Sequence, residues 1–136
     1  MSLTLTTHDT RFDDPDAATI DKVLASLDGD RHVLATLARS EVTYLQASGS
    51  AQAGLSLEYQ EGSLDQRFKS QGEVLCLQTV TDMFQCYARE DEGWRSRVAW
   101  EHVPYVPQKI PWFSTWVGYV GILFVVAFLI WLWRGW

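Results

Sequence analysis

The sequence predicts a small α+β domain followed by one transmembrane helix. Two segments carry apolar residues at helical spacing, several short segments have strand-like patterns, and the 24 residues from Ile110 to Trp133 contain no charge. The short connections between strands favour an antiparallel sheet with two helices packed on one face. A chain of 136 residues has room for one domain of roughly 100 residues and one membrane span.

The first predicted strand covers Ser2–Thr7, where Leu3 and Leu5 alternate with polar residues. A helix is predicted to start at Asp14-Pro15, because an acidic cap followed by proline is typical of a helix start. It is predicted to end at Asp28-Gly29-Asp30. Its apolar stripe is Ile20, Val23, Leu24 and Leu27.

Three predicted strands follow this helix, and their spans are His32–Ala38, Val42–Ala47 and Gly54–Tyr59. Arg39-Ser40 is predicted to form a tight hairpin, and Ser48–Ala53 a longer loop of small residues. Glu61–Gly72 is polar and is predicted to be a loop.

A second apolar stripe at helical spacing follows this predicted loop. The segment Val74–Leu77, just before the stripe, fits either a short strand or the lead-in to the helix. Glu90–Gly93 is predicted to end the helix, and Trp94–Trp100 to be extended. The stripe is Val80, Met83, Phe84 and Tyr87. With the two stripes, the predicted core contains Val33, Leu34, Leu37, Tyr44, Leu55, Leu57, Trp94 and Trp100.

The C-terminal part predicts a membrane anchor. About 20 apolar residues are enough to cross the hydrocarbon layer as a helix, and tryptophans mark both ends of the span. The predicted division is a domain over 1–102, a proline-rich linker over 103–111, a transmembrane helix over 112–133 and a short tail over 134–136.

Charge around the span predicts its orientation. Arg95, Arg97 and Lys109 precede it, whereas Arg134 alone follows it, so the positive-inside rule places the N-terminal domain in the cytoplasm. The first ten residues do not resemble a secretory signal. We therefore expect a tail-anchored, single-pass protein of the bacterial inner membrane.

One face of the predicted span carries small residues. Ser114, Gly118 and Gly121 are spaced so that another helix can approach closely, which makes them candidate packing residues. Such residues are also common in membrane helices in general, and both explanations remain open.

The sequence contains no P-loop phosphate-binding motif, no GxGxxG dinucleotide-binding motif and no HExxH metalloprotease motif. Cys76 and Cys86 lack the paired spacing of a zinc site and are expected to be free thiols in a reducing cytoplasm. We therefore expect no enzyme activity, no cofactor, no bound metal and no small-molecule substrate. Nucleic-acid binding is not expected, because basic residues are not clustered in the domain.

The N-terminal domain is acidic. Residues 1–107 hold all 17 Asp and Glu but nine of the 11 Lys and Arg, which gives a net charge of −8. A solvated acidic surface keeps a domain soluble and away from anionic lipid, and it also attracts a basic protein partner. The sequence leaves both roles open.

One stretch resembles a known group of proteins. It contains the run LEYQEGSLD over 57–65, then Phe68, the helix through Tyr87 and the tryptophans at 94 and 100. This combination is similar to small bacterial immunity-like domains. These occur among the immunity proteins of contact-dependent and polymorphic toxin systems. The resemblance covers roughly residues 15–102 and implies an α+β fold, an acidic face, protein binding and no catalysis.

The leading hypothesis is therefore an acidic cytoplasmic domain that binds a protein partner and neutralises a toxin. The alternative is a small accessory subunit of a membrane complex, packed through its transmembrane helix. If 54–59 is a strand, Tyr59 shares the buried face with Leu57 and Leu55. The predicted partner-binding patch is Glu58, Gln60, Glu61 and Asp65.

Overall fold

One seven-stranded sheet organises residues 2–107, which are the part of the chain that the computed structural model describes. Its order is β2-β1-β3-β4-β5-β6-β7, and every neighbouring pair is antiparallel. The strands are β1 (Thr4–Thr6), β2 (Arg11–Asp13), β3 (Leu34–Ser40), β4 (Thr43–Ser50), β5 (Gly54–Glu61), β6 (Arg67–Ser70) and β7 (Trp100–His102). The predicted α+β class is confirmed.

Two α-helices cover one face of this sheet. They are α1 (Ala17–Ala25) and α2 (Leu77–Ala88), and a short 3₁₀ helix (Glu92–Ser96) follows α2. The buried residues of both α-helices join one hydrophobic cluster with the inward residues of the strands, such as Leu5, Leu37 and Leu45. The helices therefore provide one wall of the core and the sheet provides the other.

The start of α1 differs from the prediction by two residues. Asp16, not Asp14, is the N-cap: its carboxylate accepts a hydrogen bond from the backbone N–H of Thr19 at 2.8 Å. Asp14 instead joins β2 to the N-terminus, because its carboxylate accepts from the N–H of Leu3 while its own N–H donates to the Leu3 carbonyl.

Two strands were missed by the sequence patterns. β2 and β6 have three and four residues, and β6 lies within the predicted loop Glu61–Gly72. Each strand turns one aromatic side chain, Phe12 or Phe68, toward the core between two charged residues. So few apolar residues leave too little alternation to recognise.

Several element boundaries also differ from the predicted ones. The first hairpin turns at Glu41–Val42 rather than Arg39-Ser40, and the register shifts between Ala38 and Ser40. The predicted extended piece Trp94–Trp100 is wrong, since it begins inside the 3₁₀ helix and reaches β7 only at its last residue. Leu75 pairs with Leu55 in an isolated bridge before α2 starts.

The buried core confirms most of its predicted members. Both helical stripes are buried, as are Leu37, Leu55, Leu57 and Trp94. Val33 and Leu34 were wrongly placed there, since they are 37% and 44% exposed. Leu34 lies on the face of β3 opposite the inward residues Ala35 and Leu37, and Val33 precedes the strand. Tyr44 and Trp100 are half-buried, so neither belongs to the fully buried core.

Within residues 2–107, no helix combines the length and the apolar character needed to cross a membrane. The predicted span 112–133, with Ser114, Gly118 and Gly121, lies outside the described residues. The predicted linker 103–111 is described only up to residue 107, and the predicted tail 134–136 lies outside the described residues.

Candidate functional site

The face of the sheet opposite the helices is crossed by a row of polar residues, and we call it the open face. Residues that oppose each other on antiparallel strands share a face, so the pairing register identifies one row that crosses all seven strands. This row is Arg11, Thr6, Thr36, Gln46, Glu58, Lys69 and Glu101. Every member is polar, in contrast to the buried face of the same strands.

Glu58 is the centre of a polar network on the open face. Arg67 Nε and Nη2 donate to its two carboxylate oxygens at 2.5 and 3.2 Å, and Tyr44 Oη donates to Oε1 at 3.2 Å. A bidentate guanidinium–carboxylate pair fixes both side chains in one orientation. The Glu58 side chain is 19% exposed and that of Arg67 is 45% exposed, so the pair is only partly shielded from water.

The Tyr44 hydroxyl remains a donor in this network. Partial burial is the main cause that raises the pKa of Tyr44 above its ordinary value, and the charge of Glu58 acts in the same direction. The phenol is therefore protonated at neutral pH. Oε1 of Gln60 lies 3.4 Å from the Tyr44 hydroxyl and is the alternative acceptor for its single proton.

Gln60 lies on the same face but is enclosed there. It pairs with Tyr44 on one side and with Arg67 on the other, and only 4% of its surface is exposed. Its amide therefore contributes to the interior of the network rather than to a freely exposed patch.

Glu61 points to the other side of the sheet. It is the last residue of β5 and not part of the following loop, so it shares the helix-covered face with Tyr59. Both terminal nitrogens of Arg95 donate to its carboxylate, and Arg95 also pairs with Glu92 at 2.6 Å. The hydrogen bonds from Arg95 lower the pKa of Glu61 below its usual value.

Asp65 is exposed in the turn between β5 and β6. Its backbone carbonyl contacts the His102 imidazole, whereas its carboxylate has no hydrogen bond or ion pair among residues 2–107. The structure therefore brings Glu58 and Gln60 together on the open face, with Asp65 in the turn after their strand. It places Glu61 on the opposite face.

Three acidic residues near the N-terminus accept local hydrogen bonds. Asp16 caps α1, and the Asp28 carboxylate accepts from the N–H groups of the three residues 30–32. The hydroxyls of Thr7 and Thr10 donate to Asp9. Hydrogen bonds of these kinds lower the pKa of all three carboxyls. Part of the acidic composition thus has a local structural cause.

Sequence reasoning missed the two basic residues that β6 contributes to the open face. Arg67 and Lys69 flank Phe68 on β6, and Lys69 lies opposite Glu58 on one side and Glu101 on the other. The alternation of a basic, an apolar and a basic residue was the available signal. It was overlooked because the whole segment is polar.

The two cysteines are free thiols, with Cys76 exposed and Cys86 buried. Among residues 2–107, no three His, Cys, Asp or Glu side chains are grouped so that they could hold a metal ion.

Comparison of the chain with known proteins gives no matching family model, no similar curated protein and no similar solved structure.

Proposed function

We propose that this chain is a non-enzymatic binding protein, anchored in the bacterial inner membrane with its N-terminal domain in the cytoplasm. The domain binds a basic protein partner through the open face of its sheet and the adjoining β5–β6 turn. A toxin is one partner of this class, in line with the resemblance to immunity-like domains.

The polar row that crosses all seven strands is the observation that supports this proposal most directly. Both α-helices pack on the other face, so no helix among residues 2–107 covers the side chains of this row. The Glu58–Arg67 pair holds its centre in a fixed geometry. A rigid, prearranged surface loses less conformational entropy on binding than a flexible one.

Charge favours a basic partner. The net charge of −8 over residues 1–107 attracts a positively charged protein from a distance and increases its association rate at low salt. Close to the surface, Asp65 is the predicted site residue whose carboxylate is exposed and unpaired among residues 2–107. We therefore assign Asp65 the main local electrostatic contact, and Glu58 and Gln60 a positioning role.

Two matched charge reversals test this assignment. The partner is first captured by cross-linking the full chain in native membranes, and then its binding to purified variants is measured. Asp65→Lys and Glu73→Lys change the net charge equally, and both residues are exposed in the loops on either side of β6. We expect Asp65→Lys to slow association clearly more than Glu73→Lys. Equal effects would limit the role of charge to long-range steering, and no effect of either would contradict the proposal.

The proposed anchor has its own test. Met1–Tyr105 forms one compact unit, so a chain truncated after Tyr105 is expected to fold and to stay in the soluble fraction. If this fragment sediments with membranes after a high-salt wash, the span at 112–133 is not what attaches the protein.

An accessory subunit of a membrane complex is the alternative, favoured by the small residues Ser114, Gly118 and Gly121 of the predicted span. In that case the truncated chain loses its partner. Retention of the partner by the truncated chain supports binding through the domain.

A further inference from the structure

A cleft separates the β1–β2 hairpin from α1, away from the open face. Its volume is about 350 Å³, which lies within the range of small-molecule sites. Phe12 and Val23 provide its apolar lining, and four hydroxyl side chains surround them. Val23 is also part of the buried core, so this part of the cleft is anchored to the fold.

Two opposite charges line the cleft from different elements, and the imidazole of His32 lines it as well. Asp9 lies in the loop between β1 and β2, and Lys22 lies on α1. The hydroxyls of Thr7 and Thr10 donate to the Asp9 carboxylate at 3.2 and 3.1 Å, which orients it and lowers its pKa. Lys22 makes no ion pair among residues 2–107, so its ammonium group is available to a ligand.

We propose that this cleft binds a small zwitterion with an apolar side chain, the chemistry of a free amino acid such as phenylalanine or leucine. Asp9 receives the ammonium group, Lys22 receives the carboxylate, and the side chain lies against Phe12 and Val23. A ligand with only one charge would pair with one of these two residues. The other residue would then have no ligand group of opposite charge and would lie near the ligand's charge, which has the same sign as its own. The zwitterion matches both.

Three ligands of similar size test the contribution of each ligand charge to binding. L-phenylalanine carries both, L-phenylalaninamide lacks the carboxylate, and 3-phenylpropionate lacks the ammonium group. Each is titrated into the full-length, ¹⁵N-labelled chain in detergent micelles, and binding is followed by amide chemical shifts. We expect saturable shifts around Thr10, Phe12 and Val23 with phenylalanine, and at least tenfold weaker binding of the other two.

Variants assign each charge to its residue. Asp9→Asn is expected to weaken phenylalanine and the amide but not phenylpropionate, and Lys22→Gln to weaken phenylalanine and phenylpropionate but not the amide. Glu73→Gln, outside the cleft, is the matched control and should bind like the wild type. Retained amide dispersion in each variant shows that it is folded.

Three outcomes would overturn the inference. The first is the absence of a saturable shift up to about 10 mM ligand, where even a millimolar affinity would be visible. The second is a set of shifts that map away from the cleft. The third is equal binding of all three ligands. None of them bears on the open face, so the proposed protein partner stands or fails separately.

Discussion

The two faces of the sheet are built from alternate residues of the same strands but differ in what holds them together. On the helix-covered face, Leu37, Leu45 and Leu57 are at most 1% exposed and pack against the helices. On the open face, their neighbours in sequence form hydrogen bonds and ion pairs at half-buried positions. The helix-covered face therefore supplies most of the stability of the domain, and the exposed positions of the open face outside the Glu58 network can change at little cost. Such a division suits a binding protein.

The largest effect is expected on the helix-covered face. Phe84 of α2 is fully buried in the core, so Phe84→Ala removes a large apolar side chain and leaves a cavity. We expect the free energy of unfolding to fall by about 3–5 kcal/mol, measured by chemical denaturation. A loss below about 1 kcal/mol would mean that α2 does not pack on the sheet as described.

A smaller loss is expected at the border of the core. Trp100 packs edge-on against Tyr59 and Trp94 and donates its indole N–H to the Arg95 carbonyl, but it is only half-buried. Trp100→Ala is therefore expected to cost about 1–3 kcal/mol, less than a fully buried tryptophan. Trp94→Ala, at 2% exposure, is the comparison and should cost more.

Charge reversal should reduce stability at Glu58 on the open face but not at Asp65 in the adjoining turn. Glu58→Lys removes the carboxylate that Arg67 and Tyr44 bind and adds a charge opposite Lys69, so we expect a loss of about 1–3 kcal/mol. Asp65→Lys should stay within about 0.5 kcal/mol. The free energies of unfolding of the two variants test this. Equal values would show that the Glu58 network does not hold the open face together.

Acid sensitivity is expected to depend on Glu61. Because Arg95 lowers its pKa in the folded state, Glu61 contributes stability above its ordinary pKa of 4.5, and this contribution is lost as the pH falls through the lower folded value. Glu61→Gln should therefore lose less stability than the wild type between about pH 6 and pH 3. Glu73→Gln is the control. A variant at position 61 that loses as much as the wild type would contradict the sign of this effect.

The sequence predicted the fold best where the apolar pattern was long. Both helical stripes have four apolar residues at helical spacing, and β3, β4 and β5 have seven or eight residues, so their patterns are visible without tertiary information. β2 and β6 could not be recognised in this way, because each carries one inward aromatic residue. Their pairing with longer strands decides their conformation.

The candidate site was less predictable than the fold. The alternation of Leu57, Glu58, Tyr59 and Gln60 correctly indicated which residues share a face. It could not indicate that Arg67 would pair with Glu58, since that contact depends on the register between two strands. It also could not indicate that Glu61 continues the strand and faces Arg95 instead of the loop.

Site-specific photo-cross-linking tests the central claim most directly. A photoreactive residue is placed singly at Thr6 or Lys69, which are exposed on the open face, and at Ala25 or Gln78, which are exposed on α1 and α2. The full chain is then irradiated in native membranes. The account predicts one common partner protein cross-linked from Thr6 and Lys69 and not from the two helix positions. Cross-links to that partner from the helices alone would contradict it.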